Sequence, residues 1–457
     1  MLMVVPRLRL WLSRACDAAL AIFDSGAMHG LRCAAYSLGF FAVGYALALP
    51  GATLPYLEAA ASASERAIGL IFVFRGTCYT AASLAGGFIG DAPRLRGATR
   101  GAHAAMAASL GLAAAGLGCA RRAASPPLLG LALAAASLAM GALDTLGNVA
   151  LLASARRAAP DRSANCEMGL AHAAFGAGCV AAPLAAAFLG GRGAYDVGAA
   201  GLAAAAVATV AVPGVGASEA ADGAKAPLAP RSPGAAKAAA CALFFVYVGA
   251  EQGCGGLLAS ASGLRERRAL RCTALFWAAL VAGRLLFARV PDRRVDRALA
   301  FLLFAATAAA AAVAVARPRG DGAAWALFAA ALGFCYGPVY PAAMARLEAG
   351  CPLSSRFTGV LVSAGGFGEI ALVPLLFQLD GVYGSSAFPS TLAVANGLAL
   401  VAALVLARGL RPTGRAARFE LVSRTNSAWD DADDELDWDG SYADFDTSTL
   451  GDAAGFV

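Results

Sequence analysis

Residues 67–96 read AIGLIFVFRGTCYTAASLAGGFIGDAPRLR. About 20 apolar residues span the hydrocarbon core of a bilayer as a helix, and this stretch supplies that length before ending on a turn with Asp91, Arg94 and Arg96. One charge, Arg75, lies inside the run. A charge at mid-bilayer costs roughly 2.5–3.5 kcal/mol on insertion scales, so it needs a partner, water or a function.

Similar runs recur along the chain. They fall near 33–55, 67–90, 102–120, 126–154, 166–190 and 196–213, then near 238–260, 271–290, 297–317, 323–345, 357–379 and 388–408. The composition agrees: of 457 residues 59% are hydrophobic and 14% charged, against about 25% charged in soluble domains. A water-soluble core could not hide that much apolar surface. The fold class expected is an all-α membrane protein with twelve transmembrane helices in two six-helix halves, 33–213 and 238–408. A cytosolic linker, 214–237, rich in Pro, Ala and Gly, joins them. A basic cytosolic arm, 1–32, precedes the bundle, and a cytosolic tail, 409–457, follows it.

With both termini cytosolic, the inner segments hold 24 Lys and Arg and the outer segments 10, as the positive-inside rule requires. The stretch Leu264–Arg271 dissents by placing four arginines outside. The tail carries ten acids between Asp430 and Asp452 and no Lys or Arg after Arg424, so the rest of the chain is basic by 16 charges. Membrane topology accounts for that excess better than nucleic acid does. An acidic segment with so few apolar residues is expected to be disordered, and Trp429, Trp438 and Phe445 make it a candidate contact for a cytosolic protein partner.

The halves echo one another. Segment five has Gly176-Ala-Gly178 and then Pro183, and segment eleven has Gly366-Phe-Gly368 and then Pro374. Segments two and eight both end on a basic turn with an aspartate, Asp91 and Asp292.

Besides Arg75, four charges fall within the segments: Asp144, Glu251, Arg284 and Glu369. In GALDTLGNVALL (141–152) a helix places Asp144 and Asn148 on one face. In FFVYVGAEQGCGGLLAS (244–260) Glu251 and Gln252 precede Gly253, Gly255 and Gly256, which predict a weakened helix lining a cavity. Carboxylates and amides offer the acceptors and donors that suit sugar hydroxyls or a Na⁺ or H⁺. These four are the expected substrate-binding residues. Arg75, His172, Arg284 and Glu369 are the expected ion-coupling or ion-pair residues, and Gly87, Asp91, Arg94 and Arg96 a conformational loop. Three central acids against two arginines leave one carboxylate for a coupling cation.

Enzyme chemistry has little to stand on. There is no P-loop, HExxH or GxSxG, and the one GxGxxA, Gly176–Ala181, lies in an apolar segment with no strand before it. The eleven cysteines form no CxxC pair and read as small hydrophobes. No metal or organic cofactor is expected.

The turn Gly87-Phe-Ile-Gly-Asp91 with Arg94 and Arg96 resembles the loop signature of the major facilitator superfamily, although Ala92-Pro93 stand where an arginine usually follows the aspartate. Further pieces resemble its sodium-dependent glucose transporter 1 and MFSD4-like branch. They are Arg75-Gly76 with Tyr79 and Ser83, Asp144-Thr145 with Asn148, His172 with Phe175, Gly176 and Gly178, Tyr247 to Glu251 with Gly255-Gly256, Phe276-Trp277 with Gly283-Arg284, and Gly368-Glu369. That resemblance implies a twelve-helix facilitator fold and secondary transport of a small polar solute, a hexose taken up with Na⁺ or H⁺. Leu257-Leu258 replace the aromatic residues typical of the branch. Two alternatives remain open from the residues: a proton-coupled exporter of amphipathic compounds, and a non-transporting receptor or scaffold acting through the tail.

Overall fold

A backbone in lipid must satisfy its own hydrogen bonds, and apolar runs of this length do so as helices. In the computed structural model every regular element among the described residues is a helix. Those residues are 27–91, 99–158, 164–212, 232–318, 320–351, 353–384 and 386–411. The basic arm to residue 26, the linker 213–231, the tail from 412, and Arg94 and Arg96 lie outside them.

The elements in order are α1 (Ala27–Ala52), a short α2 (Leu54–Ala61), α3 (Glu65–Gly90), α4 (Thr99–Ala120), α5 (Pro126–Ala158) and α6 (Asn165–Ala211). There follow α7 (Pro233–Ala261), α8 (Glu266–Phe287), α9 (Asp292–Ala316), α10 (Gly322–Tyr336), α11 (Val339–Gly350), α12 (Ser355–Tyr383) and α13 (Ala387–Gly409). At 1.5 Å per residue, the 47 residues of α6 would measure about 70 Å, more than twice the hydrocarbon thickness. Gly190, at φ +70°, breaks it, so residues 165–189 and 191–211 cross separately. The α10–α11 pair crosses once, interrupted at Gly337-Pro338. Nine described stretches are long and apolar enough to cross by length and composition, α6 counted once and α10–α11 together. The second arm of α6 and the helices α3 and α8, each holding a buried arginine, bring the crossings to twelve.

Packing repeats between the halves. α1 packs on α6, α3 on α5, and α4 on α5 and α6; α7 packs on α12 and α13, α8 on α10, and α9 on α10 and α13. Four pairs join the halves, chiefly α3 with α12 and α6 with α8, and to a lesser extent α6 with α11 and α5 with α12. The duplicated Gly-x-Gly explains how. Its first glycine faces across the halves: Gly176 meets Val281 of α8, and Gly366 meets Thr80 of α3. Its second faces within a half: Gly178 lies on the Phe41 carbonyl of α1, and Gly368 on the Phe245 carbonyl of α7. A side chain at either second position would collide with backbone, so the close approach requires glycine. The outer faces are apolar and uncovered by protein (Val315 is 84% exposed, Leu327 73%), which is the lipid-facing arrangement.

One expectation fails. The glycines after Glu251 do not break segment seven, because α7 runs unbroken through them. Two of them are packing contacts instead, Gly253 accommodating Leu376 and Gly255 the Trp277 ring, while Gly256 faces open space. The interruption falls in segment ten, where Pro338 has no N–H to continue the ladder.

Candidate functional site

α5 presents Asp144 and Asn148 one turn apart, as the spacing predicts. Asn148 donates from Nδ2 to Asp144 Oδ1 at 2.9 Å, and Tyr79 of α3 donates to Asp144 Oδ2 at 2.5 Å. With its amide nitrogen committed, Asn148 can only accept through Oδ1, so His172 Nε2 of α6 carries the hydrogen in their 3.0 Å contact. The His172 carbonyl in turn accepts from Arg284 Nη1 at 2.7 Å. Arg284 comes from α8 in the other half, so this bond joins the two.

Arg284 is 2% exposed. Its Nε donates to the Gly337 carbonyl at 3.0 Å, and Nη2 lies 3.7 Å from Glu251 Oε1. Glu251 Oε2 accepts from Tyr247 one turn back in α7, and Tyr247 Oη is 3.0 Å from the Tyr336 carbonyl. The interruption of segment ten thus does chemical work. Carbonyls at a helix end lack intrahelical partners, and Tyr336 and Gly337 offer theirs to Tyr247 and Arg284. The result is one polar chain through Tyr79, Asp144, Asn148, His172, Arg284, Glu251 and Tyr247. These bonds hold the Arg284 guanidinium inside the bundle.

A cavity of about 60 Å³, room for a few waters, lies against this chain. Leu47, Tyr79, Asp144, His172 and Phe175 line it from the first half, and Val248, Glu251, Gln252, Arg284, Tyr340, Val362, Gly365, Gly366 and Glu369 from the second. Gln252 and Glu369 face it without a hydrogen bond or ion pair among the described residues. The buried Tyr340 hydroxyl likewise has no hydrogen-bond partner. These three groups are free to meet a guest.

Arg75 departs from expectation. It is buried, but Nε donates to Ser137 Oγ at 3.2 Å and Nη2 to the Leu47 carbonyl at 2.9 Å, with the guanidinium 5.6 Å from the Phe72 ring centre. Gly76 and Ile370 bring α3 and α12 together beside it, yet Arg75 forms no ion pair with Glu369 because its fork is turned toward α1 and α5. The cavity therefore sees three carboxylates and one arginine, a surplus of two rather than one.

At the loop, Gly87 lies on the backbone of Ser355 and Arg356, and Asp91 Oδ2 is 3.4 Å from Arg356 Nε. The contact ties the end of α3 to the start of α12. On the other side of the same face, Asn165 of α6 donates to the Phe287 carbonyl of α8 at 3.1 Å. Sequence reasoning overlooked Arg356, Tyr247 as a partner of Glu251, and Tyr340. The Tyr247–Glu251 pair had a signal, since i,i+4 residues meet on a helix. Tyr340 had none, because only the interruption at Gly337-Pro338 turns it to the cavity.

Two repeated helical halves meeting at a polar membrane-embedded cavity define a membrane transporter. The chain belongs to the Major Facilitator Superfamily, whose family model matches residues 36–373. The fold is similar to that of FucP in the outward conformation (TM-score 0.65, 15% identity, covering 85% of this chain and 100% of that one). It is also similar to the human organic anion transporter MFSD10 (0.64, 15%, 83% and 99%). The proton:xylose symporter XylE bound to 6-bromo-6-deoxy-D-glucose is a further likeness (0.65, 11%, 85% and 97%). At these identities the likeness concerns the fold. No curated protein sequence matches the chain.

Proposed function

We propose that this protein is a secondary active transporter of a small polar solute, a hexose moved together with Na⁺ or H⁺ by alternating access. The observation that carries the reading is the single polar chain crossing both halves beside a cavity with unpartnered Glu369, Gln252 and Tyr340. Amide, hydroxyl and carboxylate groups are the donors and acceptors a polyol needs. The two surplus carboxylates, Asp144 and Glu369, are the places for a coupling cation. The fold likeness to a fucose:proton symporter and a proton:xylose symporter supports the reading, as does the resemblance of the intramembrane motifs to the sodium-dependent glucose transporter 1 branch.

Rocking of one half against the other would slide α3 on α12 and α6 on α8. Asp91–Arg356 and Asn165–Phe287 then belong to the closed cytosolic side. The bond from Arg284 to the His172 carbonyl must break for that side to open, so it ties the state of the cavity to the state of the gate.

The deciding experiment is reconstitution of the full chain into liposomes with labelled D-glucose, L-fucose and D-xylose, each with and without a Na⁺ or H⁺ gradient. Gradient-driven accumulation of a sugar is expected, reduced at least tenfold by Asp144→Asn and by Glu369→Gln. Absence of accumulation for every sugar and both ions would overturn the hexose reading. A second reading has one observation in its favour: an apolar crevice lined by Tyr36, Phe40, Val43, Met106, Leu110 and Leu143 also reaches Asp144. An exporter of amphipathic compounds would use it, and efflux of a lipophilic dye from the same liposomes would identify that activity.

A further inference from the structure

The four arginines of Leu264–Arg271 contradict the charge bias of the rest of the chain, and none of them is among the residues lining the central cavity. Their position in the fold gives them a role. Arg268 and Arg271 line a cleft of about 550 Å³ between the start of α8 and the start of α10. It opens at the end of the bundle opposite the Asp91–Arg356 contact. Both arginines are exposed. The Arg268 stem reaches over Gly322 at the foot of α10, and the Trp325 indole, bonded to the Pro318 carbonyl at 2.9 Å, fixes the turn that forms the far wall.

The one acid among the described residues of the cleft, Asp321, is occupied: its Oδ1 accepts from the Ala323 and Ala324 N–H groups at 2.9 and 3.1 Å, capping α10. Below the arginines the same face of α8 turns apolar. Cys272 and Leu275 continue the stripe at i+4 and i+7 from Arg268, with Ala323 and Ala326 opposite. Arg268 to Leu275 spans about 10 Å along the helix, the depth over which a bilayer passes from headgroup to acyl chain. A cationic rim over an apolar floor, open at the membrane boundary, has the polarity profile of an acidic lipid.

We propose that this cleft binds an acidic phospholipid, the phosphate held by Arg268 and Arg271 and the acyl chain laid over Cys272, Leu275 and Ala326. The local excess of arginine is retained against the topology rule because a lipid phosphate neutralises it. A free phosphate would use the rim alone, whereas the lipid uses rim and floor together.

The test is native mass spectrometry of the purified full chain titrated with phosphatidylglycerol or phosphatidylcholine, paired with thermal unfolding in the same lipids and in inorganic phosphate. The wild type is expected to keep phosphatidylglycerol where phosphatidylcholine is stripped, and to melt at a higher temperature with it. The R268Q/R271Q pair should lower phosphatidylglycerol retention at least tenfold, R268K/R271K should keep most of it, and R293Q/R294Q on the opposite face should leave it unchanged. Leu275→Asp should remove the lipid effect through the apolar floor. Equal retention of both lipids by the wild type, or retention unaffected by R268Q/R271Q, would overturn the proposal. So would stabilisation by inorganic phosphate as large as that by phosphatidylglycerol. If R268Q/R271Q does not fold, the R268K/R271K and Leu275→Asp comparison decides between the same outcomes.

Discussion

Arg284 meets the His172 carbonyl of α6, the Gly337 carbonyl at the α10–α11 break and the Glu251 carboxylate of α7, and each of the three loses that partner without it. Breaking a buried pair by removing one member costs about 3–5 kcal/mol, because the other charge stays behind uncompensated. Arg284→Ala is therefore expected to destabilise the protein on that order, read as a fall in melting temperature in detergent. Arg284→Lys should recover little, since a single ammonium cannot reproduce a planar fork directed at the Gly337 and His172 carbonyls and at Glu251 together. Asp144 differs: an asparagine there still accepts from Asn148 through Oδ1 and can donate through Nδ2 to the Tyr79 hydroxyl, which accepts as well as donates. Asp144→Asn should accordingly lose transport while melting within a few degrees of the wild type, a separation of function from stability that uptake and unfolding measure side by side.

Among the elements, the duplicated Gly-x-Gly is where sequence and packing correspond most directly. Gly178 and Gly368 sit on the backbone of α1 and α7, whereas Gly118 has open space where a side chain would start. Overpacking of a tight contact costs about 1–3 kcal/mol, so Gly178→Ala and Gly368→Ala should each lower folded yield and melting temperature while Gly118→Ala is neutral. The α3–α12 contact invites a conformational test. Exposed ion pairs contribute only about 0.2–1 kcal/mol, so Asp91→Asn should shift the balance of gate states by a few-fold at most. Increased labelling of a cysteine placed at Ser355, on the face that Gly90 covers, would report it.

For the whole molecule, a transporter predicts that the acidic tail is dispensable for flux. Deletion of residues 425–457 should leave liposome uptake within about twofold of the full chain, whereas a scaffold acting through the tail would lose its partner. The cavity lining belongs to neither half alone. Five of its side chains come from α1, α3, α5 and α6, and the others from α7, α8, α11 and α12, which is what allows a guest to influence how the halves stand to one another.

The twelve crossings, the two halves and the intramembrane charges were legible from the chain, because bilayer thickness sets helix length and lipid penalises every unsatisfied charge. The charge rule marked Asp144, Glu251 and Glu369, and their neighbours on the helix added Asn148 and Gln252; all but Asn148 line the cavity. Which charges pair was decided only in three dimensions. Arg75 and Arg284 look alike in sequence, yet a serine and a carbonyl satisfy one on the α1–α5 side, while the interruption at Gly337-Pro338 offers the other a carbonyl beside Glu251. The location of that interruption was also hidden. Glycines after Glu251 and a Gly-Pro in segment ten both weaken a helix, and neighbouring side chains determine which one yields. Tertiary contacts filled the first site with Leu376 and Trp277 and gave the freed carbonyls of the second to Tyr247 and Arg284.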